Sequence, residues 1–291
     1  MIPSGIVVPL VSVVAERGSV DLDATLANAE RVLAAGASGL YLCGGTGDAA
    51  QLRERDRRAV TEAVLPAAQA SGAGVIVHVG SAPVHESYEL AAHAMAAGAD
   101  AVASVPLRGA WHQNLAYYGQ LGAVAGSVFV YHMPPAGFTA TFEQLSELLE
   151  LDGVVGAKVS DWNLFLLRRL VEERPDLTFY SGLDEILAFG LLSGARGSIG
   201  TWSNLVPGLF VRIFTAVAEG RHADALELQA HWQRFLHQCW RVDVLSAFEA
   251  LMARRGYADG CFRSPSAVGP LGAVEIDRLE RALAPIEAWE G

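Results

Sequence analysis

The chain has 291 residues, 52% of them apolar and 18% charged, with a formal net charge of −11. That length and apolar share support a sizeable core, in one large domain or two ordinary ones. The acidic balance, with no basic run of five or more, argues against nucleic acid or an anionic membrane surface as a partner.

No apolar stretch approaches the ~20 residues of a membrane span. Residues 1–5 lack the basic and apolar regions of a signal peptide, so the expected compartment is the cytoplasm. Cys43, Cys239 and Cys261 are odd in number and form no CxxC pair, which predicts reduced thiols rather than a disulfide framework or a structural zinc site.

Short β-type runs alternate with amphipathic helical stretches along the chain. The predicted strands are 5–8, 39–43, 75–79, 101–105, 128–131, 154–158, 178–180 and 197–199. The helical patterns that follow them in turn are 23–35, 54–70, 85–97, 113–125, 141–149, 163–173, 185–193 and 207–218. Eight successive βα units with apolar rather than alternating strands imply a parallel sheet covered by helices, and closure into a (β/α)8 TIM barrel is the economical solution at this length. Gly36, Gly98 and Gly194 stand where three of these helices should stop. Three further helices, 222–236, 242–255 and 274–289, read as an appendage packed on the barrel. The division expected is a barrel over 1–220 and C-terminal helices over 221–291, in one structural unit.

The sharpest chemical signal is Lys158, one ammonium in the apolar run Val154-Val155-Gly156-Ala157-Lys158-Val159. Lysine is almost never buried without a partner or a purpose. Desolvation disfavours its charged form and favours a nucleophilic amine, which attacks carbonyls and forms Schiff bases. In a (β/α)8 barrel the working face lies at the C-terminal ends of the strands, so the residues that end the other strands are its natural company.

The second strand ends in Gly44-Gly45-Thr46-Gly47-Asp48, a turn whose backbone amides and Thr46 hydroxyl suit a carboxylate; the same turn reads equally as a tight connection. The fifth ends at Tyr131-His132-Met133-Pro134, where a phenol can relay protons or simply pack as a rim residue. The seventh leads to Gly182-Leu183-Asp184-Glu185, carboxylates that either complement a helix dipole or accept hydrogen bonds from a hydroxylated substrate. The eighth leads to Gly200-Thr201. Gly194-Ala195-Arg196-Gly197 with Gly200 is a weak match to a barrel phosphate site. His78 and His132 lie on barrel strands, yet the chain has no HxH or HExxH, and no GxSxG elbow, so metal and serine-hydrolase chemistry are disfavoured.

In chain order, Gly44-Gly45-Thr46-Gly47-Asp48, Tyr131-His132-Met133-Pro134, Gly156-Ala157-Lys158 and Gly182-Leu183-Asp184-Glu185 resemble the dihydrodipicolinate synthase / N-acetylneuraminate lyase family of pyruvate-dependent class I aldolases. A late Arg263-Ser264-Pro265 is similar to that family's C-terminal loop. The resemblance implies that Lys158 forms the Schiff base, Tyr131 relays protons, and the Gly45 and Thr46 amides with the Thr46 hydroxyl hold the carboxylate of a 2-oxo acid. It further implies a cofactor-free homotetramer acting on pyruvate and an aldehyde or sugar acid.

Three departures narrow the expectation. Gly45 stands where the family usually has Thr or Ser. Ala136 stands where dihydrodipicolinate synthases carry an arginine, and Leu107-Arg108 where they carry an aromatic that reaches a neighbouring subunit. The sugar-acid lyase branch fits better, with Ser160, Gly182, Asp184, Glu185, Gly200 and Thr201 as contacts to the sugar tail. Expected, then, is aldol cleavage of a 2-keto-3-deoxy sugar acid. The alternatives are a Schiff-base dehydratase of the 5-dehydro-4-deoxyglucarate type, with Arg108 or Arg196 on a second carboxylate, then dihydrodipicolinate synthase, then a non-catalytic 2-oxo-acid-binding paralogue.

Overall fold

Eight parallel strands close on themselves in sequence order, each hydrogen-bonded to the next and the eighth to the first. They are β1 (Gly5–Pro9), β2 (Gly39–Leu42), β3 (Gly74–His78), β4 (Ala101–Ser104), β5 (Val128–His132), β6 (Val154–Val159), β7 (Thr178–Ser181) and β8 (Gly197–Ser198). Between and after them run α1 (Leu22–Ala34), α2 (Glu54–Ala70), α3 (Val84–Ala97), α4 (Trp111–Ala125), α5 (Phe142–Leu149), α6 (Leu164–Glu173), α7 (Leu187–Leu192) and α8 (Pro207–Ala218). The chain ends with α9 (His222–Cys239), α10 (Val244–Arg254) and α11 (Ala273–Glu287). The computed structural model describes residues 2–14, 19–257 and 269–287; Cys261, Arg263-Ser264-Pro265 and Trp289 lie outside them.

The barrel expected from the sequence is present, with strand and helix boundaries displaced by a few residues. One difference is larger. Where a helix over 185–193 was expected, Asp184–Ile186 form a 3-10 turn and the α-helix begins only at Leu187. The joints at Gly36 and Gly98 are as read: both glycines take left-handed φ, 93° and 105°, which lets the chain reverse from helix to strand without a Cβ clash.

Burial explains why the strands carry no alternating pattern. Their outward residues, such as Val8, Leu40, Val77 and Val130, pack under the helices in the larger core. Their inward residues, Val7, Tyr41, Ile76, Phe129, Tyr180 and Ile199, fill the barrel. Both faces are dry, so both are apolar.

The C-terminal helices join this core through an aromatic cluster. Trp232 of α9 is fully buried, with its ring centroid 5.4 Å from that of Trp202 and 5.1 Å from those of Phe210 and Phe235. Among the described residues no helix is long and apolar enough to cross a membrane. Trp232→Ala removes a large buried side chain at this seam and is expected to cost about 3–5 kcal/mol in urea-unfolding measurements.

Candidate active site

The strand that carries the lysine breaks its own alternation. Val154 lies in the outer core and Val155 packs on the inner cluster, so strict alternation would turn Ala157 inward and Lys158 outward. Instead Ala157 and Val159 lie in the outer core. The register shows why: Val128 pairs with Val154, but Phe129 pairs with Gly156, so β6 has taken in one extra residue. A bulge of this kind re-aims the side chains beyond it. Gly156 accommodates it with φ 153°, and a Cβ there would stand 1.8 Å from the carbonyl oxygen of Thr178. Lys158 therefore points into the barrel mouth with only 5% of its surface exposed.

Aromatic rings surround its amine. Nζ lies 4.2 Å from the ring centroid of Tyr131 and 5.0 Å from that of Tyr41. The two rings meet nearly edge to face, 6.3 Å apart at 80°. His78, at the end of β3, stands 6.3 Å from Tyr131 and 6.2 Å from Tyr41. Burial first, then the positive charges of Arg57 and Lys158, push its imidazole down to about 3, so it is a neutral ring at physiological pH. Arg57, itself buried, holds the end of β3 by donating from Nη2 to the His78 carbonyl at 2.6 Å and from Nη1 to the Gly80 carbonyl at 3.1 Å.

Three glycines at strand ends make room for polar neighbours. A Cβ on Gly44 would come within 2.5 Å of Tyr41 Cε1. One on Gly182 would lie 1.9 Å from Ser160 Oγ and 3.1 Å from Lys158 Cε, and one on Gly200 would lie 1.8 Å from Asp184 Oδ1. Ser160 and Asp184 are both buried at 3% exposure, and neither Ser160 Oγ nor Asp184 Oδ1 has a hydrogen-bond partner. Unpartnered buried acceptors at a barrel mouth are positions where a ligand's polar groups would be satisfied.

Asp184 Oδ2 accepts from the Trp202 amide at 2.9 Å. Its carboxyl is pushed up to about 7, chiefly by burial and secondly by the Glu185 charge, with the Trp202 amide and Lys158 pulling the other way. Glu185 is half-buried and burial raises its carboxyl too. The turn carrying both acids is gripped from α9: Gln229 donates to the Asp184 and Glu185 carbonyls at 3.1 and 3.0 Å, and Gln233 to that of Glu185 at 2.8 Å.

On the opposite rim, the turn after β2 bonds internally from Asp48 N–H to the Gly45 carbonyl and from Ala49 N–H to that of Gly44, leaving the Gly45 and Thr46 amides out of its own network. Cys43 and Asp48, at its two ends, hold left-handed φ of 53° and 52°, which is uncommon for residues other than glycine. The Thr46 hydroxyl lies 2.8 Å from that of Thr201, joining this turn to the one after β8. Beside it the Cβ direction of Gly45 is empty, with nothing within 4 Å.

Lys158, Tyr131, Thr46, Gly45, Ser160, Gly182, Asp184, Glu185, Gly200 and Thr201 thus all stand at the C-terminal end of the barrel, on the strand ends or the turns that leave them. Arg196 does not. It precedes β8, and its carbonyl accepts from the Gly5 amide, so it sits at the opposite end of the barrel and cannot read a second carboxylate there. Gly194–Gly197 shares that placement, which removes the phosphate-site match. Arg108 lies on the correct side, exposed, donating to the Ala136 carbonyl at 3.1 Å. His132 faces outward and bonds Asp161 at 3.1 Å through Nε2. Among the described residues no group of three or more His, Cys, Asp or Glu is placed to hold a metal ion. The sequence does not single out Tyr41 and offers His78 only as a disfavoured metal ligand; Gly44, where a Cβ would overlap the Tyr41 ring, is the one residue of the motif that bears on the tyrosine.

Known proteins resemble this chain in family and fold. The model of the dihydrodipicolinate synthetase family matches residues 2–284. An N-acetylneuraminate lyase of Rhizobium meliloti (strain 1021) is 30% identical over 289 residues, covering 98% of this chain and 96% of its own. An N-acetylneuraminate lyase of Enterobacter sp. (strain 638) is 32% identical over 225 residues, 75% of each chain. The wild-type sialic acid aldolase of Ruminococcus gnavus superposes with a TM-score of 0.90 over 99% of this chain and 98% of that one, at 21% identity, a likeness of fold.

Two outcomes follow from this geometry. Gly156→Ala places a methyl group against the Thr178 carbonyl and is expected to destabilise by about 1–3 kcal/mol in urea unfolding, with loss of activity beyond that, because β6 can no longer hold the bulge that turns Lys158 inward. For Asp184, the native carboxyl near 7 keeps a proton that the unfolded chain releases near its ordinary 3.8. Its contribution therefore lowers stability as pH rises between those two values and is constant above them. Asp184→Asn, which keeps an acceptor for the Trp202 amide, should gain stability relative to the parent as pH rises from 4 to 7 and level off by pH 8, followed by denaturant unfolding across that range.

Proposed function

The chain belongs to the dihydrodipicolinate synthetase family, and from that membership and the barrel mouth we propose that it is a Schiff-base lyase that cleaves a 2-keto-3-deoxy sugar acid to pyruvate and an aldehyde. The observation that carries the reading is Lys158, aimed into the mouth by the β6 bulge, buried, and 4.2 Å from the ring of Tyr131. The description of the Rhizobium and Enterobacter relatives as N-acetylneuraminate lyases supports the sugar-acid branch over dihydrodipicolinate synthesis. So does Ala136, which stands where the resemblance leads one to expect an arginine in a dihydrodipicolinate synthase.

The roles follow from placement. The Gly45 and Thr46 amides and the Thr46 hydroxyl grip the substrate carboxylate, which sets the C2 ketone against Lys158. The free amine adds to C2, and the carbinolamine loses water with a proton from the Tyr131 phenol, leaving an iminium. The Tyr131 oxygen then takes the proton of the C4 hydroxyl. The C3–C4 pair flows into the iminium as the aldehyde departs, giving an enamine. The Tyr131 phenol passes that proton to C3, and water adds to the restored iminium, returning a proton to the Tyr131 oxygen as pyruvate and free Lys158 separate. Ser160, Asp184, Glu185 and Thr201 read the hydroxylated tail, with Gly182 and Gly200 leaving them room.

The same proposal treats 1–220 and 221–291 as one unit and the assembly as a homotetramer in the cytoplasm. The buried free thiols of Cys43 and Cys239 suit a reducing compartment. The exposed Trp162, Phe165, Phe189 and Leu192 around α6 and α7 supply apolar surface for contact between copies.

Borohydride added with pyruvate should fix a reduced pyruvate adduct on Lys158, located by peptide mass, and Lys158→Arg should show neither adduct nor turnover. Tyr131→Phe should lower kcat by about 10²–10⁴ and trap adduct more slowly than the parent while still reaching it on Lys158. Release of free pyruvate from a keto-deoxy sugar acid panel marks cleavage; a dehydrated product without pyruvate marks the dehydratase. A wild-type protein that traps no oxo acid at Lys158 sinks the reading.

A further inference from the structure

Tyr41 enters the barrel from β2 as one of its inner, fully buried residues. Its hydroxyl has no hydrogen-bond partner, so the phenol is not held there by a polar contact. Room for the ring comes from Gly44, where any Cβ would overlap its edge. What the ring meets is the amine of Lys158, 5.0 Å from its centroid, with the Tyr131 ring 4.2 Å from the same nitrogen. With the two rings at 80° to one another, Nζ sits in the angle between two aromatic walls, and the His78 ring stands within 6.3 Å of both. A cation within about 6 Å of a ring face is stabilised by the ring's quadrupole, and most strongly where water is excluded.

We propose that Tyr41 is a further catalytic residue: its ring face, together with that of Tyr131, holds the positive charge that appears on Lys158 nitrogen when the amine condenses with a ketone and loses water. This rests on the lyase reading above and adds to it a residue that acts through its π face rather than its hydroxyl. The surroundings are consistent with that use. Burial holds the Tyr41 phenol well above its ordinary value, so no phenolate competes as an anion. His78 stays neutral beside it, so no second cation forms in the cage. The carboxylate that interacts with Lys158, Asp184, is shifted toward its uncharged form by burial, which leaves more of the charge to the rings. An iminium needs stabilisation in a site that also releases it by hydrolysis. Two polarisable faces provide that without the tight ion pair a carboxylate would form.

The test varies the face at constant shape. Position 41 is filled in turn with phenylalanine, 4-fluorophenylalanine, 3,5-difluorophenylalanine and 3,4,5-trifluorophenylalanine, and the fraction of Lys158 trapped by borohydride is measured against pyruvate concentration. The apparent affinity for imine formation should fall stepwise with fluorination, by about 3- to 30-fold across the series, in line with the strength of such contacts. Tyr41→Leu should lose at least as much at a urea concentration well below its unfolding midpoint, where circular dichroism shows it still folded. A flat series with normal trapping overturns the assignment of Tyr41 and leaves the lyase reading intact. Trapping absent from the wild type overturns both.

Discussion

The site depends on one extra residue in one strand. A barrel strand presents every second side chain to the interior, and by that rule Lys158 belongs to the helix-facing layer. The bulge at Val155-Gly156 inverts the rule beyond it, and only a residue without a side chain fits against the Thr178 carbonyl at that point. A lysine among the Leu and Val side chains of the outer core would be an unpaired charge with no chemistry to do. The same lysine inside the mouth is next to Tyr131 and Tyr41, with the glycine-rich turn after β2 at the same end of the barrel. Backbone irregularity in β6 is thus what converts a costly residue into a functional one.

The mouth then works by leaving space and leaving polar atoms unsatisfied. Gly44, Gly182 and Gly200 each sit where a Cβ would strike a functional neighbour, so three strand ends are hollowed to admit Tyr41, Ser160 with Lys158, and Asp184. Ser160 Oγ and Asp184 Oδ1 are buried without partners, which costs free energy until a polar group reaches them. Charge is arranged with similar restraint. Arg57 lies behind β3 and bonds only carbonyls in the hydrogen bonds that fix this strand end, helping to keep His78 neutral.

Much of this was legible beforehand, and the failures have definite causes. Apolar runs of strand length separated by helical patterns specify a parallel barrel, because strands dry on both faces carry no alternation. That same loss of alternation hides which residues face inward, so Tyr41 draws no notice, His78 is weighed only as a metal ligand, and Gly156 is legible as part of a motif but not as the seat of a bulge. Lys158 was visible because a single charge in an apolar strand has no structural explanation. Arg196 was misplaced because proximity in sequence to β8 does not say at which end of the strand a residue sits. The helix expected from Glu185 began two residues later because Asp184–Ile186 tighten into a 3-10 turn that turns the Asp184 side chain toward the Trp202 amide.

The grip of α9 on that turn carries a consequence for how such an enzyme changes. Gln229 and Gln233 touch no reacting atom, yet they fix the backbone from which Asp184 and Glu185 project. Substitutions along α9 can therefore shift those acids by fractions of an ångström while the lysine, the phenol and the carboxylate grip stay where they are. The position of two buried or half-buried acids at the barrel mouth is thus set in part by a helix that lies outside the barrel's own eight repeats.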